Sequence, residues 1–404
     1  MDRLDNPVRP YAWGSTTAIP ELLGTEPTGE PQAELWMGAH PAAPSLIDRG
    51  DGPVPLSTAI AADPAGELGP EVAAAFGPRL PFLLKVLAAG APLSLQVHPD
   101  LTQAAEGFAT EQLRGIPLDA PHRNYKDDQH KPEMICALTP FEGLCGFRPP
   151  ERTAALLAAL EVDDLKPYVD ILRARPAESA LREVFTAVLT ADRDRQAETV
   201  RLTAGACDRL AAEGGEHAAD YAAYAALAHE FPGDPGVIAS MLLNHVRLQP
   251  GEALFLAAGV PHAYLDGLGV EIMANSDNVL RCGLTPKHVD VPELLRIIDF
   301  SSGDPGVQRP EASPDGEEVY TTPIEEFRLS RHVLAPGAAP RPLPAGQAQI
   351  LLCTDGQARL TDRSGRELTL SRGQSAYLPA VAQGVHCAGS GTVFRATVQG
   401  AAAS

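Results

Sequence analysis

Ser94-Leu95-Gln96-Val97-His98-Pro99 sets polar residues at every second position of an apolar run. That is the period of a strand, so Gln96 and His98 leave the same face, with Ser94 on it two positions earlier. A carboxylate at Glu133, in His130-Lys131-Pro132-Glu133, and an imidazole at His262, beside Pro261, would complete a nitrogen and oxygen ligand set for a borderline divalent ion. This strand therefore decides both the fold and the site.

Upstream, Phe82-Leu83-Leu84-Lys85-Val86-Leu87 is an apolar run broken by one lysine, and Gly90 and Pro92 separate it from Leu93 to Val97. The two runs read as neighbouring buried strands. A helix is expected over Leu101 to Leu113, then a polar loop from Asp119 to Lys131 and a strand over Met134 to Leu138. Residues 1 to about 70 read as loops and short strands, with Glu34 to Gly38 the clearest strand. Thr58 to Phe76 reads as one or two short helices interrupted near Pro64.

From Glu151 to about Glu230 the texture changes. Apolar residues recur at three and four positions, as in Leu181-Val184-Phe185-Val188, which predicts a helical block interrupted at Pro167 and Pro176. Strand signals return after Pro232, at Gly251 to Leu256 and Val270 to Met273. Thr285 to Ile298 reads as a loop and short helix, Asp299 to Asp315 as a polar linker, and Glu325 to Val398 as successive short strands. A faint repeat links Gly251-Glu-Ala-Leu-Phe-Leu-Ala-Ala to Gly373-Gln-Ser-Ala-Tyr-Leu-Pro-Ala, each followed by a histidine, His262 and His386. The second copy has no Gln-x-His pair before it and is expected to pack without metal.

Composition narrows the class. With 404 residues, 44% apolar and 21% charged, the chain can bury a core and hold two or three domains. A net charge of −20 with no basic block argues against nucleic acid or an anionic membrane as partner. Of the five lysines, Lys85, Lys126, Lys131 and Lys287 lie in or near the candidate site stretches, and Lys166 does not. Six cysteines without C-x-x-C spacing suit a reducing compartment. No apolar h-region follows Met1-Asp2-Arg3, and no apolar run is long enough to span a bilayer, so a soluble cytoplasmic protein is expected.

Tyr11-Ala12-Trp13-Gly14, Glu34-Leu35-Trp36-Met37-Gly38 with His40-Pro41, and Pro81 to Leu87 open a series of motifs. Leu93 to Pro99, Asp128-Gln129-His130-Lys131-Pro132-Glu133-Met134 and Pro261-His262-Ala263-Tyr264-Leu265 follow, then Glu271 to Arg281 and Lys287-His288. In these stretches the chain resembles the type I phosphomannose isomerases, zinc enzymes of the cupin superfamily. Gln129 stands where many relatives carry Asn, which removes no ligand.

The resemblance implies a mainly β fold with an α-helical insertion, built on cupin, jelly-roll-like β-barrels. Residues 1–150 with 232–298 would form the catalytic cupin domain, 151–231 an inserted helical domain, and 299–404 a metal-free cupin-like barrel. It implies one Zn²⁺ per chain on Gln96, His98, Glu133 and His262, although such ligands also suit Mn²⁺, Fe²⁺ or Co²⁺. The implied reaction interconverts mannose 6-phosphate and fructose 6-phosphate through an enediol, serving GDP-mannose synthesis or mannose catabolism.

Arg281, Lys131, His130, Asp277 and Glu271 are the expected catalytic groups, with His130 and Glu271 both open as the base. Ser94, Lys85, Lys287, Tyr264 and Trp13 are expected to bind substrate. A small phosphorylated sugar is the expected partner, with the chain a monomer or weak homodimer. The alternatives are a cupin metalloenzyme acting on another phosphosugar or a free aldose, and a non-catalytic metal-dependent sugar-binding cupin.

Overall fold

Alternation along Phe82–Ala89 sets the architecture. The computed structural model describes residues 1–399, so the last five positions of the expected 299–404 unit lie outside the described residues. Phe82, Leu84, Val86 and Ala88 pack outward into a core shared with Tyr320, Phe327, Ile350 and Phe394 of the C-terminal part. Leu83, Lys85 and Leu87, the alternate residues, line a cavity on the other face. The same division holds in Glu133–Ala137. There Met134 and Cys136 face the C-terminal part, while Ile135 and Ala137 join an inner core with Leu87, Phe141 and Tyr264.

The long strand His262–Ala274 joins two facing halves of one ten-stranded sheet. Its first half pairs with Leu95–Val97 and Phe141–Phe147; its second half pairs with Phe82–Ala89 and Glu133–Ala137. One strand thus delivers His262 and Tyr264 to one wall and Glu271 and Met273 to the other. The runs 82–87 and 93–97 do not pair with each other as expected. The first pairs with Glu34–Met37 and the long strand, the second with the long strand and Leu280–Gly283. The Gly90 and Pro92 break carries the chain between the two halves rather than around a hairpin.

The helical block covers the far side of the first half. Helices Pro150–Ala159, Lys166–Ala174, Ala177–Thr190, Arg193–Glu213 and Ala218–Glu230 share a core with Leu95, Val97, Leu144 and Ala263. Pro167 opens one helix and Pro176 caps the next, positions where a missing N–H costs nothing. Leu101–Leu113 forms the expected helix, fastened by a capping box between Asp100 and Gln103. Three helices, Leu56–Ala62, Pro64–Leu68 and Pro70–Phe76, occupy the stretch read as one or two.

The C-terminal part is a nine-stranded sheet, and the first strand of the chain, Asp2–Arg3, pairs into it at Tyr377 and Ala376. The expectation of a mainly β protein built on cupin, jelly-roll-like barrels is overturned. Helix and strand are balanced at 30% and 29%, the sheets are open, and no β-barrel forms among the described residues. Period-two alternation tells which face of a strand is buried. It carries no information on whether the first strand of a sheet meets its last, and here helices and the neighbouring sheet cover those faces instead.

Candidate active site

Between the two halves lies a cavity of about 700 Å³, large enough for a small-molecule substrate. Gln96 and Glu133 line it, and Glu133 joins His98 and His262 in a buried cluster whose ligand atoms lie within 4.8 Å of one another. The two imidazoles are oriented from behind. His98 Nδ1 lies 2.7 Å from the Asn278 carbonyl oxygen, and His262 Nδ1 lies 2.9 Å from that of Val260. A carbonyl only accepts, so each Nδ1 carries the proton and each Nε2 presents a lone pair to the centre.

The donor set fits a divalent cation. His98 Nε2 is buried without a hydrogen-bond partner, and it faces the Glu133 carboxylate at 3.5 Å. His262 Nε2 lies 3.0 Å from the other Glu133 oxygen. Gln96 reaches the same place, its amide 3.3 Å from His262 Nε2, so all four expected ligands converge. Burial, helped by the nearby Lys131 charge, brings the His98 imidazole down to about 4, which keeps it neutral and free to ligate. Burial by itself would raise the Glu133 carboxyl. Lys131, 3.2 Å away, and the two imidazoles hold it well below the usual carboxylate range.

One wall is rich in carboxylates. Lys85 Nζ is buried 2.9 Å from Glu271 and 3.4 Å from Glu34, above the Trp36 ring. Burial opposes its charge, but Glu271 and Glu34 outweigh burial and raise its pKa. Glu271 is pushed up by burial, with Lys85 working against the shift. Glu34 also accepts from Trp36 Nε1 at 2.7 Å. One ammonium held by two carboxylates has no charge left over for a phosphate. We expect Lys85→Met to strand Glu34 and Glu271 without a buried counter-charge and to destabilise the fold by roughly 3–5 kcal/mol. Equilibrium denaturation checks this, and an unchanged midpoint would count against the trio.

The opposite end is cationic. Arg281 pairs in register with Gln96, one step from the metal ligands, and has no carboxylate within ion-pair reach among the described residues. Burial lowers its pKa, as expected of an uncompensated charge. Lys287 lies nearby on the exposed rim, and its pKa falls because of Arg281 first and burial second. Ser94 and Thr285 line the same cavity.

Other expected residues are placed as follows. Tyr264 donates to Glu133 at 3.3 Å, and Trp13 stacks on Tyr11 in the cavity wall. Gly14 turns the chain behind Trp13; a Cβ there would meet the Ala33 backbone at 2.5 Å. Asp277 is exposed, 3.5 Å from His40, whose hydrogen bond lowers the carboxyl below its usual value. His130 is not among the cavity residues: its Nε2 meets Glu326 of the C-terminal part at 2.5 Å.

Glu34 and His40 were not singled out from the sequence, although both lie in the Glu34 to Pro41 stretch. Their only signal was burial against Lys85 and Asp277, which pairing reveals and spacing does not. Glu230 and Phe231, at the end of the helical block, also line the cavity and carried no signal.

Comparison with known proteins agrees with this geometry. Residues 1–150 match the family described as phosphomannose isomerase type I, catalytic domain. The chain is 39% identical over 398 residues to the mannose-6-phosphate isomerase of Escherichia coli, covering 98% of this chain and 99% of that one. A crystallised mutant of phosphomannose isomerase from Salmonella typhimurium superposes with a TM-score of 0.92 at 38% identity, covering 99% of both chains. A zinc-bound mannose 6-phosphate isomerase superposes with a TM-score of 0.90 at 38% identity, covering 98% of this chain and 99% of that one.

Proposed function

We propose a division of labour among the site residues from one premise: this chain belongs to the type I phosphomannose isomerases. It interconverts mannose 6-phosphate and fructose 6-phosphate with one Zn²⁺ per chain. The observation that carries the reading is the convergence of His98, Glu133 and His262 lone pairs beneath a cavity of substrate size. Those residues and Gln96 would hold the ion. When bound, zinc supplies a Lewis acid at the substrate's carbonyl end.

The chain's own groups account for the rest. Lys287 and Ser94, with Arg281 nearby, anchor the phosphate at the cationic end, Lys287 by a charge-assisted bond. Glu271 takes the proton from C2 and returns it at C1. Burial raises its proton affinity, and Lys85 at 2.9 Å steadies its anionic form before the transfer. Lys131 lies 3.2 Å from Glu133 and Arg281 pairs in register with Gln96, so both bring positive charge to the ligand cluster, where it meets the charge that develops on the enediol oxygens. Asp277, held by His40, accepts from a sugar hydroxyl, and Tyr264 and Trp13 wall the sugar. His130, turned toward Glu326, serves as a link to the C-terminal part rather than as the base.

We divide the chain into a catalytic unit of 1–150 with 232–298, an inserted helical unit of 151–231 and a C-terminal unit of 299–404. Cytoplasmic residence is supported by six buried, unpaired cysteines. No helix among the described residues is long and apolar enough to cross a membrane. We take the chain to be a monomer or weak homodimer.

Lys287→Gln tests the phosphate anchor. One lost charge-assisted bond should raise KM for mannose 6-phosphate roughly 10- to 100-fold. Slow isomerisation of unphosphorylated mannose should stay unchanged. An equal loss on both sugars would remove the assignment, and glucose 6-phosphate run beside them reads the preference at C2.

A further inference from the structure

The strand His386–Thr397 repeats the construction of His262–Ala274. Each opens on a histidine whose Nδ1 meets the carbonyl two residues earlier, at 2.9 Å for His262 and 3.0 Å for the exposed His386. The registers correspond too. Glu271 lies between Lys85 and Ile135, and Met273 lies across from Glu133. Arg395 lies between Ser330 and Leu351, and Thr397 lies across from Gln349. Gln349 and Arg395 therefore stand where the catalytic unit has Glu133 and Glu271.

The charge at this second position is inverted. The catalytic wall sets Glu34, Glu133 and Glu271 against Lys85 and Lys131, an excess of negative charge suited to a cation. In the C-terminal part the buried Glu317 is shared by two guanidiniums, Arg395 Nη1 at 2.9 Å and Arg328 Nη2 at 3.4 Å, and it also accepts from Ser330. His332 lies behind them, buried with both ring nitrogens unpartnered, and burial lowers its pKa so that it adds no charge. Asp315 is at the exposed edge. With Arg328 part-exposed, the two guanidiniums exceed Glu317 by one positive charge.

That charge faces open space. Arg328, Arg395, Gln347 and Thr397 line a pocket of about 200 Å³ rimmed by Pro344 and Ala345. Arg395 Nε is taken by Gln349 at 2.6 Å and Nη1 by Glu317, while Nη2 meets no acceptor among the described residues. The unbonded Nη2 of Arg395 and the part-exposed Arg328 turn guanidinium donors toward the pocket with only Glu317 behind them, an arrangement that an oxyanion would complete by charge-assisted bonds.

We propose that this pocket is a second ligand site, selective for a small oxyanion of the phosphate class, held between Arg328 and Arg395 with the amide N–H of Gln347, oriented by the Thr397 hydroxyl at 2.9 Å, as the neutral contact. The site descends from the same strand plan as the metal centre and has exchanged its carboxylates for an amide and a guanidinium.

Equilibrium dialysis of the zinc-loaded protein against radiolabelled inorganic phosphate tests it. Wild type should take up two phosphates per chain, one of them at the catalytic cavity. Arg328→Gln replaces a part-exposed side chain and leaves the Arg395–Glu317 pair intact. It should weaken one of the two by at least tenfold while kcat stays at the wild-type level. Thr397→Val, near-isosteric, should weaken the same event. Lys287→Gln should leave that event in place and reduce only the other. Uptake by Arg328→Gln and Thr397→Val equal to wild type would overturn the proposal, as would loss of all phosphate binding in Lys287→Gln. A failure of Lys287→Gln to reduce either event would instead count against the catalytic phosphate anchor alone.

Discussion

Arg281→Ala should keep its full complement of metal and lose about 10²–10³ in kcat, the usual cost of removing one preorganised charge from a developing oxyanion. The expectation rests on position. Arg281 is aligned by register with Gln96, yet it supplies no ligand atom and has no carboxylate partner among the described residues. Its charge is therefore neither structural glue nor part of the metal shell, and burial concentrates its effect. Arg281→Lys should recover only part of the rate, since an ammonium lacks the planar fork of a guanidinium. Metal content by mass spectrometry beside kcat separates the roles. Loss of metal in step with activity would move Arg281 from the reaction to the upkeep of the metal site.

Glu133→Ala should have the largest effect of any single change, abolishing metal binding and activity together. Its carboxylate lies 3.2 Å from Lys131, 3.5 Å from His98 and 3.0 Å from His262, so no other group can take its place. Removing it leaves two neutral imidazoles and an amide beside a buried ammonium, a surrounding that repels a cation. His98→Ala should likewise lose both properties. Activity retained by metal-free Glu133→Ala would refute the ligand set.

Much of this site was legible in the sequence because its ligands sit on regular strands. Two-residue spacing put Gln96 and His98 on one face, and the single lysine within Phe82 to Leu87 marked a wall that needed counter-charges. Pro167 and Pro176 each stand at a helix start, whereas the breaks after Thr190 and Glu213 carry no proline and were not expected. What was not legible depends on partners distant in the chain. Nothing local to Asp2–Arg3 says that it pairs with Tyr377 and Ala376, nor that Phe82–Ala89 and Leu95–Val97 lie in facing halves rather than side by side. His130 sits next to Lys131 in sequence, yet a bond to Glu326 takes it out of the cavity. Glu34 became visible only once Trp36 and Lys85 stood next to it. The resemblance supplied the ligand set but also carried the expectation of closed barrels, which the open strand orders correct.

The most direct test of the account is a coupled assay of fructose 6-phosphate formed from mannose 6-phosphate, run on the same sample as isolated, after chelation, and after return of one equivalent of Zn²⁺. Activity should vanish on chelation and return in proportion to zinc bound, reaching its plateau at one ion per chain. Turnover that survives complete removal of the metal, or that fails to return when zinc refills the site, would contradict it.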